Sequence, residues 1–220
     1  MHPIRSVIFD LDGTLADTAG EIALALERAF AEFGLVALPE AAVREMIGQG
    51  VATLVDRALE RIGSGVEAHA VLERFEVHYE ATVGTTAQLY PSVRDGLARL
   101  AAHKLPLAVV TNKPRYFTDR LLDLLEVRGA FASIVAGDDG WPKKPAGDML
   151  VAACRQMASR VDETLMLGDS ANDVLAARAA GCRVWCVPYG YNEGRPVESL
   201  ACDRIVASVD AAAGLVLAAG

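Results

Sequence analysis

Val7-Ile8-Phe9-Asp10-Leu11-Asp12-Gly13-Thr14-Leu15 is the stretch on which the fold turns. Residues 5–9 are few, β-branched and apolar, as a buried central strand requires. Such a strand ends at the carboxyl edge of an α/β sheet, where these sheets place their ligands. Asp10 and Asp12, at i and i+2 just past that edge, converge on one small volume. Two like charges at ~5 Å and an effective dielectric of ~20 repel by about 3 kcal/mol. Folding alone gives no reason to keep that repulsion. A site needing a nucleophile, a proton donor and a divalent cation does. Gly13 then allows a tight turn.

Outward from this stretch, strands and helices alternate. Strands are expected at 105–111, 133–136, 164–168, 182–187 and 204–207. Helices are expected at 114–126, with Phe117, Leu121, Leu124 and Leu125 on one face, at 146–159, and at 171–180, where Gly181 is a stop signal. The pattern predicts an α/β fold with a doubly wound, parallel-sheet core of Rossmann-like type. Residues 17–86 show helical periods only. Ile22, Leu26, Phe30 and Phe33 form one apolar face, and Leu72, Phe75, Tyr79 and Val83 another, with breaks at Pro39 and Gly63-Ser64-Gly65. The predicted organisation is a catalytic core of residues 1–16 and 87–220 and an inserted all-helical cap of residues 17–86. The sheet is expected to resume near Tyr90-Pro91. An insert directly after the two aspartates hangs over the strand ends, where a lid belongs.

Composition narrows the function classes. The 220 residues are 52% hydrophobic, ample for a core, with 21 Lys+Arg against 29 Asp+Glu. A net charge of -8 argues against a nucleic-acid surface, which needs a basic stripe. No basic amphipathic helix suggests a membrane partner, and no signal peptide or spanning apolar run is read, so a cytoplasmic location is expected. Cys154, Cys182, Cys186 and Cys202 read as reduced, mostly buried thiols rather than a zinc site.

Three further strand ends carry polar residues: Thr111-Asn112, then Lys143-Lys144-Pro145, then Asp169-Ser170 with Asn172 and Asp173. Singly, each is ordinary turn or cap chemistry. Together they occupy, in order, junctions on one sheet edge. Four carboxylates (Asp10, Asp12, Asp169, Asp173) against one lysine leave an excess of negative charge that Mg²⁺, a hard cation, would offset. Thr111, Asn112 and a lysine are donors that suit a phosphoryl group.

These segments, Asp10-Leu11-Asp12-Gly13-Thr14, Thr111-Asn112, Lys144-Pro145 and Gly168-Asp169-Ser170-Ala171-Asn172-Asp173, resemble the four motifs of the haloacid dehalogenase-like hydrolase superfamily. The helical insert sits where that superfamily carries its type-1 cap. The resemblance implies Asp10 as nucleophile and Asp12 as general acid/base, with the Asp12 main-chain carbonyl on Mg²⁺. It implies Thr111 and Asn112 on the phosphoryl oxygens and Lys144 neutralising nucleophile and phosphate. Asp169 would complete the metal sphere, with Asp173 a further or outer ligand. Lys143 and Lys113 are rival anchors; Lys144 is preferred because it precedes Pro145. Where the family often has a second proline, this chain has Gly147.

Asp12 counts against a dehalogenase, and the absence of lysine between Asp17 and Thr86 closes the Schiff-base route to phosphonates. Two stretches resemble segments of bacterial phosphoglycolate phosphatases: Gly190-Tyr191-Asn192, and Met46-Ile47-Gly48-Gln49-Gly50-Val51, whose Gly48 and Gly50 are placed at the substrate. The expected partner is a small phosphorylated metabolite, 2-phosphoglycolate, turned over with Mg²⁺. The alternatives are another small phosphomonoester or sugar phosphate, a phosphomutase, and a non-catalytic phosphate-binding protein.

Overall fold

The computed structural model describes residues 3–218. Residues 1, 2, 219 and 220, the ends of the expected core, lie outside it. In chain order the elements are β1 (Ser6–Phe9), β2 (Ala16–Asp17), α1 (Ala19–Glu32), α2 (Glu40–Arg44), α3 (Val51–Arg61), α4 (Ala68–Thr82) and β3 (Gln88–Leu89). There follow α5 (Val93–Ala102), β4 (Leu107–Val110), α6 (Arg115–Leu124), β5 (Ser133–Val135), α7 (Asp148–Gln156) and β6 (Thr164–Gly168). The chain closes with α8 (Ala171–Ala180), β7 (Arg183–Cys186), β8 (Arg204–Ile205) and α9 (Val209–Ala218).

Six strands form one parallel sheet in the order β5-β4-β1-β6-β7-β8. β1 lies in its interior, with Val7 opposite Leu107 on one side and Leu165 on the other. Side chains alternate across a strand, so each strand feeds two cores. Val7, Phe9, Val109, Leu165 and Leu167 face one cluster, while Ile8, Ala108, Val110, Met166 and Val184 face the other. Met149, Leu150 and Ala153 of α7 and Val174 and Ala177 of α8 complete the second cluster. Burial on both faces explains why these strands read as unbroken apolar runs.

α1–α4 fill the interval where only helical periods occur. Ile22, Leu26 and Phe30 pack with Val71, Phe75 and Tyr79 in one buried group. Two details differ from the sequence reading. The sheet does not resume at Tyr90-Pro91: β3 pairs antiparallel with β2 in a separate two-stranded ribbon, and α5 intervenes before β4. Two-residue strands are too short to carry a period. Leu124, expected on the inner face of α6, is 54% exposed, because the helix ends there and turns that position outward. Cys154, Cys182 and Cys186 are buried free thiols and Cys202 is half-buried. Among the described residues, no helix is long and apolar enough to cross a membrane.

Candidate active site

Parallel pairing brings the carboxyl ends of β1, β4 and β6 side by side, and the residues just beyond them form one buried cluster. Asp10 follows β1 and is buried. Lys144 Nζ donates to Asp10 Oδ1 at 2.7 Å and to Asp173 Oδ1 at 2.7 Å. Asp173 Oδ2 accepts from the Asp169 and Ser170 main-chain N–H groups, both at 3.1 Å, and from Ser170 Oγ at 2.8 Å. This is a capping box that opens α8. Asp173 therefore fixes the helix start, holds Lys144 and orients the Asp169 backbone at once.

Asp169 is oriented from two other elements. Its Oδ1 accepts from Thr14 Oγ1 and its Oδ2 from the Tyr191 main-chain N–H, both at 2.6 Å. Backbone approaches this carboxylate closely enough to demand glycine. A Cβ on Gly190 would lie 2.3 Å from Asp169, and one on Gly13, where φ is +92°, would lie 2.6 Å away. The Tyr191 hydroxyl accepts from Thr18 and Ala19 N–H and donates to Asp17 Oδ1. One residue after β7 thus ties Asp169 to the chain that enters α1.

Asp12 has a different partner. Lys113 Nζ donates to both its oxygens, at 2.8 and 3.0 Å, and Thr18 Oγ1 donates to Oδ1 at 2.7 Å. The Lys113 side chain is 3% exposed, with its ammonium 5.0 Å from the centre of the Tyr79 ring. The Tyr79 hydroxyl donates to Glu21, whose carboxyl burial pushes up and Lys113 pulls down. The two aspartates of the opening strand are thus each held by their own lysine.

Thr111 follows β4 and lines a cavity with Asp10, Asp12, Gly48, Gly50, Asn112 and Lys113. Its far wall is apolar, made by Ile22, Ile47, Val51 and Leu54 from the helical segment. The side-chain amide of Asn112, a residue expected on the phosphoryl oxygens, is bonded within the protein. Its Nδ2 donates to Lys144 O at 2.9 Å and Gly48 O at 3.0 Å, and its Oδ1 accepts from Lys144 N at 2.9 Å. With those bonds made, the amide positions Lys144 and seats the Gly48–Gly50 loop. Gly50, at φ +92°, lies where an added Cβ would be 3.4 Å from the Asn112 carbonyl.

Asp10, Asp169 and Asp173 present oxygens within 4.8 Å of one another, all buried. Burial and mutual repulsion push Asp10 up to about 7 and Asp169 well above the usual carboxylate range, Lys144 notwithstanding. Three convergent hard oxygens, two of them on carboxyls that resist ionisation without a cation, fit a divalent ion such as Mg²⁺. Asp10 and Asp169 are its natural side-chain ligands, because Asp173 already accepts four hydrogen bonds. The Asp12 side chain is turned to Lys113, outside this trio.

A pH dependence follows. An Asp10 with a folded pKa of about 7 against 3.8 unfolded contributes stability that is present at low pH and lost as pH rises through 7. Asp17, Asp139 and Asp203 are shifted down and have the opposite effect, but their change is complete below about pH 5. The Tm of metal-free protein is therefore expected to fall by roughly 5 °C between pH 5.5 and 7.5. A melting series in EDTA checks this; a flat or rising Tm contradicts the assigned shift.

The sequence reading named Asp10, Asp12, Thr111, Lys144 and Asp169, and all converge here. It missed Thr14 and Tyr191 as holders of Asp169, and the role of Lys113 at Asp12. The Asp-Gly-Thr run and the Gly-Tyr-Asn run were visible signals for the first two.

The chain is similar to known proteins along most of its length. Residues 7–187 match the family model for haloacid dehalogenase-like hydrolases. A phosphoglycolate phosphatase of Nitrosospira multiformis is 43% identical over 218 residues, covering 97% of this chain and 96% of that protein. One from Yersinia pseudotuberculosis is 42% identical over 207 residues, covering 93% and 89%. A crystal structure of a "predicted phosphoglycolate phosphatase" from Haemophilus somnus superposes with a TM-score of 0.91 at 28% identity, covering 98% of this chain and 99% of that one.

Proposed function

The chain belongs to the haloacid dehalogenase-like hydrolases, and from that premise we propose that it is a Mg²⁺-dependent phosphatase converting 2-phosphoglycolate to glycolate and phosphate. The observation that carries this reading is the division between the two aspartates. Asp10 is held by Lys144 beside Asp169, and Asp12 is held by Lys113, both at one small cavity. This division suits one carboxylate to attack and the other to move a proton.

In the first step Asp10 attacks phosphorus and the bond to the ester oxygen breaks. Asp12 passes a proton to that oxygen as glycolate leaves, and an aspartyl phosphate remains on Asp10. In the second step Asp12 takes a proton from the water that attacks phosphorus, the bond from phosphorus to Asp10 breaks, and phosphate leaves with Asp10 regenerated. Asp10, Asp169 and the Asp12 carbonyl would hold Mg²⁺, which would supply charge neutralisation for the attack on phosphate. Thr111 offers its hydroxyl to the phosphoryl oxygens, and Lys144 keeps Asp10 oriented and partly neutralised. Asp173 acts as a positioning residue through Lys144.

α1–α4 serve as a cap over a core formed by the rest of the chain, with the β2–β3 ribbon as the hinge. Gln49 and Arg57 of this segment both donate to Glu193 Oε1, at 3.1 and 3.0 Å, so the closed position has a polar clasp. Closure excludes water from the reacting centre. With Ile22, Ile47, Val51 and Leu54 close by, the leaving group must be short. A cytoplasmic site of action suits a phosphorylated small metabolite.

The test is phosphate release from a panel in the presence of Mg²⁺. 2-Phosphoglycolate is expected to give the highest kcat/KM against glucose phosphates, pyrophosphate, a nucleotide and p-nitrophenyl phosphate. A larger ester preferred by about tenfold overturns the reading. So does conversion of β-glucose 1-phosphate to the 6-phosphate without free phosphate.

A further inference from the structure

We propose that Lys113 is the residue that recognises the substrate's own carboxylate, an inference that rests on the phosphoglycolate reading above. Among the residues lining the cavity, Lys113 is the only cation. Its side chain is buried, with the ammonium over the face of Tyr79, so its position is fixed rather than sampled. An ammonium has three N–H donors. Two are spent on the oxygens of Asp12, at 2.8 and 3.0 Å. The third is left for a ligand.

The position of that donor matches the shape of the substrate. In 2-phosphoglycolate one methylene separates the ester oxygen from the carboxylate, so the second anion lies within about 4 Å of the breaking bond. Asp12 must sit at that ester oxygen to protonate it, and Lys113 is one hydrogen bond beyond Asp12. A carboxylate two bonds past the ester oxygen therefore falls beside the ammonium while Asp12 keeps its own contacts. The side chains of the remaining wall, Ile22, Ile47, Val51 and Leu54, carry no charge to set against such an anion. Phosphate is common to every candidate substrate, so Thr111 and Lys144 cannot discriminate among leaving groups. Lys113 can, because it faces the leaving-group side. Lys143 is the rival cation. It is exposed, and it meets the site only at the rim, 3.3 Å from where a Gly50 Cβ would be.

The size of the effect is bounded by the Asp12 pairing. A neutral ester leaves Lys113 with Asp12 rather than with no partner, so rejection is smaller than at a site whose polar group is orphaned, about 100-fold rather than 10⁴.

The experiment compares 2-phosphoglycolate with 2-hydroxyethyl phosphate, which has the same chain length and no second charge. Wild-type protein is expected to prefer the former by about 100-fold in kcat/KM. In Lys113→Met the ratio should fall to within about fivefold, with most of the loss for phosphoglycolate in KM, because the contact is present before and during reaction. Both esters also slow in this variant, since Asp12 loses its partner, so the ratio is the readout. Lys113→Gln keeps an N–H on Asp12 without the charge and guards against misfolding; it should lose the same preference. Lys143→Met should keep the wild-type ratio. A wild-type ratio retained in both Lys113 variants, or lost in Lys143→Met alone, overturns the assignment. A wild-type ratio near one overturns the phosphoglycolate reading and this inference with it.

Discussion

Asp10→Asn is expected to lower turnover of 2-phosphoglycolate by about 10⁴-fold while leaving the protein folded. The amide matches the carboxylate in shape but cannot attack phosphorus. No neighbour can substitute: Asp12 is committed to Lys113 and Thr18, and Asp173 to the α8 terminus and Lys144. Folding should survive because Lys144 retains Asp173 as a partner at 2.7 Å. The change also removes a carboxyl that burial pushes up to about 7, so the metal-free Tm at pH 7.5 should not fall. Activity assays with circular dichroism and melting check both halves. A variant that keeps more than about 1% of activity means that another group attacks phosphorus.

The second large effect concerns the metal. EDTA should abolish activity and Mg²⁺ should restore it. Asp169→Asn should raise the Mg²⁺ concentration for half-maximal activity by about 100-fold or more. Asparagine fits the site without strain. Its Oδ1 takes the Tyr191 N–H and its Nδ2 donates to Thr14 Oγ1, since a hydroxyl both donates and accepts. In EDTA this variant should melt higher than wild type, because a buried carboxyl that resists ionisation is replaced by a neutral group. The rise in Tm that Mg²⁺ produces in wild type should shrink in the variant. This thermal readout is independent of catalysis. Wild-type Mg²⁺ dependence in Asp169→Asn, or full activity after exhaustive chelation, contradicts the metal assignment.

How much of this was legible in the sequence depended on distance along the chain. Asp10, Asp12 and Asp169 stand directly after apolar strands, so their place at the sheet edge followed from strand direction alone. Lys144 was distinguished from Lys143 only by its proline neighbour; in the fold Lys144 is buried on Asp10 and Lys143 is exposed. The Lys113–Asp12 pair was not legible. It spans 101 residues and depends on β4 lying beside β1 in a particular register. Asn112 has the composition of a phosphate donor, but its amide holds the Lys144 backbone, a contact set by the path of the loop after β5. Glu21 shows the converse limit. It is an acidic residue in the first turn of α1, yet it is fully buried on Tyr79 and the Gly84 N–H. Helical period located the apolar faces of α1 and α4 but carried no information on which polar residue would be enclosed between them.

The position of Tyr191 connects the site to closure. Its backbone holds Asp169, and its hydroxyl holds the Asp17–Ala19 segment that leads into α1. Loss or rotation of this one residue would loosen the Asp169 carboxylate and the entry to the helical segment together. Sequence had marked the Gly190-Tyr191-Asn192 run without assigning it a contact.

In the proposed reaction Asp10 becomes covalently phosphorylated by 2-phosphoglycolate. Rapid acid quench of a single turnover with 2-phosphoglycolate labelled in its phosphoryl group, followed by borohydride reduction and peptide mass spectrometry, tests it most directly. Label is expected to appear and decay at the rate of turnover, with homoserine at position 10 after reduction. Label on another residue, or turnover of a full equivalent of substrate with no label on the protein, would contradict it.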